Sequence, residues 1–168
     1  MMLGLSLPQF TLLHVVISLV GIATGFVVIV GFLGGRRLSG WTGLFLMTTV
    51  LTSLTGFMFP PKPIGPPHIV GIISLAVLTA TLVAIYSKKL AGKWRWIYVV
   101  GALVAQYLNV FVAVAQAFNK IPALNALAPT QTNEPAFAGA QGVVLMLFVV
   151  LGFLSVKRFH PAPEIAFA

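Results

Sequence analysis

The sequence predicts an all-α membrane protein with a bundle of five transmembrane helices, and three observations carry that prediction. The 168 residues are 59% hydrophobic and only 7% charged, whereas a soluble domain carries about 25% charged residues to keep its surface wet. Apolar runs of about 20 residues, the length needed to cross a hydrocarbon core about 30 Å thick, recur five times. The charges, ten Lys or Arg against the two acids Glu134 and Glu164, stand in short clusters between those runs.

The runs lie near 9–33, 41–59, 68–86, 96–118 and 137–156 of a single domain, 1–168. The first carries no charge before Arg36 and has no positive region ahead of it, so it is expected to remain as an anchor rather than be cleaved. The second is rich in hydroxyls: Thr48, Thr49, Thr52, Ser53 and Thr55. The third opens at His68, behind a connection holding Pro60, Pro61, Pro63, Pro66 and Pro67. The fourth carries the amides Gln106, Asn109 and Gln116. The fifth follows the longest connection, Asn119 to Ala136, whose run from Ala128 to Pro135 is polar and turn-rich. That connection is expected to be irregular, either a solvated loop or a lid over an outer site. None of the eleven prolines falls inside a run, as expected if the runs are helices, since Pro breaks a helix interior.

Alternate connections differ sharply in charge. Arg36, Arg37, Lys88, Lys89, Lys93, Arg95, Lys157 and Arg158 make eight cations on one side, against Lys62 and Lys120 on the other. Positively charged loops stay cytoplasmic, which places the N-terminus outside and the C-terminus inside. Trp41, Trp94, Trp96, Tyr86 and Tyr98 then gather at the inner interface, where amphipathic rings favour the headgroup level. Short clusters of this kind are topology signals rather than a nucleic-acid face. With no Cys, disulfides and thiolate sites are excluded.

No span carries an ionised side chain, which argues against proton coupling. Neutral polar residues instead concentrate in the outer half. His14, Ser18, Gly21 and Gly25 follow at steps of four, three and four along one helical face. Two readings compete: glycines that let helices approach, or glycines that make room for a flat ligand held by the histidine. Gln106, Asn109 and Gln116 share a face of the fourth span, either bonding to the second span's hydroxyls or lining a cofactor or solute site. Tyr107 beside them offers a phenol to a quinone carbonyl.

His14 and His68 sit at comparable depth near the outer boundary, with Gly71 and Ser74 following His68 on its own face. Imidazole is the commonest metal ligand and an axial ligand of haem. The pair is therefore a candidate metal site for haem b, with Lys62 or Lys120 meeting the propionates; the competing reading is two ordinary interfacial histidines. His160 lies beyond the fifth span.

The stretches Thr52 to Pro60, Pro67 to Leu75 and Ala126 to Gln131 resemble segments of uncharacterised small polytopic inner-membrane proteins of proteobacteria. The resemblance spans most of the chain and implies a bacterial inner membrane, with no activity attached. Acid–base or nucleophilic chemistry has only Glu134 to draw on outside, so hydrolysis and group transfer are disfavoured, while cofactor-borne redox needs no carboxylate. Three functions remain. One is an accessory or ligand-binding subunit holding haem or a quinone-like cofactor in the outer half through His14, His68, Ser18, Gly21, Gly71, Asn109 and Gln116. Another is a helix-packing subunit of a larger membrane complex or homo-oligomer. The third is a channel or facilitator for a small neutral solute.

Overall fold

A computed structural model of the chain describes residues 4–59, 65–130 and 134–161. Its regular elements are helices: α1 (Leu7–Leu33), α2 (Ser39–Phe57), α3 (Pro66–Leu82) continuing into a π-helical turn (Val83–Ser87), α4 (Trp94–Lys120), the single turn α5 (Pro122–Asn125) and α6 (Pro135–Arg158). Each long helix ends within two residues of its expected run. Proline sets four of the starts, since α1, α3, α5 and α6 carry it in the first turn, where its missing N–H costs no intrahelical bond. α5 interrupts the connection expected to be irregular, and Asn125 Nδ2 donates to the Phe118 carbonyl at 3.2 Å near the end of α4.

Four helices are long and apolar enough to cross a membrane among the described residues: α1, α3 with its π turn, α4 and α6. The remaining long helix, α2, has 19 residues but includes five Thr and two Ser. Its hydroxyls are absorbed locally, because Thr48 and Thr55 each donate to a carbonyl four residues back at 2.7 Å and Ser53 does so at 3.0 Å. Such back-bonding lets a hydroxyl sit in an apolar setting without an orphan donor.

The helices pack in order around α4. α1 lies along α2, α2 along α3, α3 along α4 and α4 along α6, while α4 also reaches back to α1 and α2. No Cα of α1 comes within 8 Å of a Cα of α3. α2 therefore separates them. α6 is the peripheral helix, with 11% of its most apolar stretch buried against 39% for α1.

The end of the bundle that carries the eight clustered cations is closed by aromatic rings. Phe32, Tyr98 and Phe159 meet with centroids 4.9 to 5.8 Å apart, and the fully buried Tyr98 has its hydroxyl 3.1 Å from Thr42 Oγ1. Arg95 donates to the carbonyls of Phe159 and Val156, covering groups that the last turn of α6 leaves open and placing a cation at the negative end of that helix.

Glycine governs how closely α3 and α4 approach. A Cβ at Gly101 would overlap Thr81 Oγ1, which is held in place by its own bond to the Val77 carbonyl at 2.7 Å. Gly101→Ala should therefore cost about 1–3 kcal/mol, the usual range for overpacking. Gly139→Ala on α6, where an added Cβ meets nothing within 4 Å, should be neutral or slightly stabilising. Chemical unfolding in detergent checks the pair, and equal stabilities would refute the close α3–α4 contact.

Candidate functional site

The polar groups of α1 meet those of α2 rung by rung toward the end opposite the clustered cations. His14 Nδ1 lies 2.8 Å from Thr55 Oγ1, and Ser18 Oγ lies 3.3 Å from Thr52 Oγ1. A Cβ at Gly21 would come within 3.2 Å of Thr48 Oγ1. At Gly25 an added Cβ would overlap the Gln106 amide and approach Phe45 to 2.9 Å. The small residues of α1 thus admit side chains of α2 and α4.

Hydrogen counting assigns the imidazoles. Thr55 has one hydroxyl proton and spends it on the Leu51 carbonyl at 2.7 Å, so it accepts from His14 Nδ1–H. The His14 lone pair is then on Nε2. His68 differs: its Nδ1 accepts the Gly65 N–H at 3.3 Å within the first turn of α3, leaving the proton on Nε2 of the neutral ring. The two rings also meet different phenylalanines, Phe59 beside His14 at 5.2 Å and Phe57 beside His68 at 6.1 Å.

The amide stripe divides. Gln106, fully buried, donates from Nε2 to the Ile22 carbonyl of α1 at 2.8 Å, and Asn109 Nδ2 donates to Thr49 Oγ1 of α2 at 3.1 Å. Gln116 is exposed, close to the end of α4, where water or headgroups replace a protein partner. Tyr107 turns toward α6, its ring 5.7 Å from that of Phe148, and does not join the amides.

Polar contacts without a counterpart in the sequence pattern include two more between helices. Gln141 of α6 donates to the Phe111 carbonyl of α4 at 3.0 Å, and Ser53 of α2 lies 3.0 Å from Ser74 of α3. An isolated amide in an otherwise apolar helix was the available signal for the first, because such a group must face protein.

A porphyrin laid between α1 and α3 does not fit these residues. α2 stands between the two helices, and the His68 lone pair faces the main chain of its own turn. The space above Gly21 is taken by Thr48 and Thr49, and that above Gly71 by the Phe57 ring, which would lie 2.8 Å from an added Cβ. Lys120 is exposed at the end of α4, whereas Lys62 lies outside the described residues. Among the described residues, no three His, Cys, Asp or Glu side chains gather where they could hold a metal ion.

The chain matches no family model, curated protein or solved structure.

A double-mutant cycle tests the α2–α4 tie. Asn109→Leu and Thr49→Val, alone and together, should show a coupling of about 0.6 kcal/mol, the mean for hydrogen bonds between membrane helices. Strict additivity would mean that the two side chains do not bond.

Proposed function

We propose that the chain is an integral protein of a bacterial inner membrane that crosses five times and serves as an accessory subunit, packing against a membrane partner. The observation that carries this reading is the state of the interior: several of the polar side chains a ligand or solute would need are already engaged within the bundle. His14 is bonded to Thr55, Asn109 to Thr49, Gln106 to the Ile22 carbonyl and Ser53 to Ser74, so these bonds between helices use groups that a ligand or solute would otherwise meet. This favours docking over conduction or cofactor binding. The open side is α6, where added Cβ atoms at Gly139 and Gly142 would meet nothing within 4 Å. A face of small residues lets the backbone of another membrane helix approach closely.

Counting α2 as a fifth span is supported by the way its hydroxyls bond within the bundle. The N-outside orientation is supported by the eight cations on one side and two on the other. Single cysteines replacing Ser39 and Asn125 test both, since the native chain has no Cys. An impermeant thiol reagent on intact cells should label position 125 and spare position 39; the reverse pattern inverts the topology.

Docking is tested by affinity purification in mild detergent from cells expressing the protein at its natural level. A stoichiometric membrane partner, or a second copy of the chain, should accompany the wild type and be lost in Gly142→Trp at unchanged melting temperature. A monomer that passes a small neutral solute in liposomes would replace this reading with a facilitator. Haem bands lost in both His14→Ala and His68→Ala would replace it with cofactor binding.

A further inference from the structure

Between α4 and α6 runs an open apolar groove of about 200 Å³, bordered by Val100, Val104 and Tyr107 on one side and Leu145, Val149 and Gly152 on the other. It is too small for a drug-sized ligand, whose pockets span about 300–1,000 Å³. The Arg95 bonds to Phe159 and Val156 set the first turn of α4 level with the last turn of α6. The groove therefore lies in the half of the bundle nearest the cation cluster.

The face of α4 that borders the groove continues to that end. Lys93, Trp96, Val100, Val104 and Tyr107 follow at steps of three or four, and the helical bonding reaches Lys93, whose carbonyl accepts the Ile97 N–H at 3.3 Å. Trp96, one turn before Val100 on that face, is 46% exposed. Lys157 and Arg158, both exposed, stand at the same depth on α6. Glu134, the one acid among the described residues, starts α6 at the opposite end, and Glu164 lies outside them. A cation, an amphipathic ring and a narrow apolar channel, in that order along one face, match the headgroup, interface and chain of a lipid.

We infer that the α4–α6 groove holds part of one acyl chain of an anionic glycerophospholipid whose phosphate is met by Lys93. The inference rests on the helices crossing a bilayer and is independent of the docking reading. Charge complementarity selects the anionic class, because each Lys or Arg near a membrane surface favours an anionic headgroup.

Native mass spectrometry of the purified protein, titrated with phosphatidylglycerol or with phosphatidylcholine of the same chains, tests it. One phosphatidylglycerol should bind in preference to phosphatidylcholine. Lys93→Gln should weaken that binding about 5-fold, and Lys157→Gln, on another face of α6, should weaken it less. Gly152→Leu should abolish it, since an added Cβ there meets nothing within 4 Å and the larger side chain can fill the groove without disturbing the fold. Val149→Trp fills the groove from an exposed position and should do the same. Gly43→Leu, which fills a separate groove between α2 and α3, should leave binding unchanged. Equal binding of phosphatidylcholine, or undiminished binding in both groove-filling variants, would overturn the site. Displacement of the lipid by inorganic phosphate alone would identify a free-anion site and overturn it as well.

Discussion

In hydrocarbon a buried amide has only the protein to bond with, and Gln106 is where that constraint presses hardest on this fold. Its Nε2 donates to the Ile22 carbonyl of α1 while its carbonyl end fills the notch left by Gly25. The fit requires both a glycine on α1 and an amide one helix away, so neither helix can rotate without exposing an unpaired group to lipid. Gln106 Oε1 is left without a hydrogen-bond partner among the described residues, pressed against the Gly25 backbone. Closeness of backbone and not abundance of hydrogen bonds sets this contact, and it ties the central helix α4 to α1.

The same rule repeats across the bundle. Lipid tails are as apolar as leucine, so helix association in a bilayer gains little from apolar contact alone and is directed by close packing and polar ties. Here nearly every interface has one. His14 and Thr55 join α1 to α2, Ser53 and Ser74 join α2 to α3, Asn109 and Thr49 join α4 to α2, and Gln141 joins α6 to α4. The α3–α4 interface uses Gly101 and Thr81 in place of a bond. Each tie is modest on its own, about 0.6 kcal/mol, yet each is specific to one neighbour and one rotation.

How much of this was legible in the sequence depends on what periodicity encodes. Apolar runs and prolines located the helices to within two residues, because length and breaker positions are local properties. The spacing of His14, Ser18, Gly21 and Gly25 marks one face, and the hydroxyls of the second span offer Asn109 a partner. Spacing gives the face of a helix but not the identity of the helix opposite. His14 and His68 share depth and still do not face each other, because α2 lies between α1 and α3. Gln116 shares the face of Asn109 but sits near the helix end, where periodicity is silent about depth. The π-helical turn at Val83–Ser87 had no sequence signal that separates it from an ordinary last turn.

The two ends of the bundle solve different problems. At the basic end, fixed charges keep the helices at the interface while Phe32, Tyr98 and Phe159 seal the interior beneath them, and Arg95 serves both purposes by binding the end of α6. At the other end there are few charges, and hydroxyls, amides and imidazoles satisfy one another inside. Both ends are thus filled by the chain's own side chains. The least covered of the four helices long and apolar enough to cross a membrane is the peripheral α6, 11% of whose most apolar stretch is buried. Gly142 and Gly152 lie on that helix, where an added Cβ meets nothing within 4 Å, so substitutions there leave the polar ties that hold the fold intact.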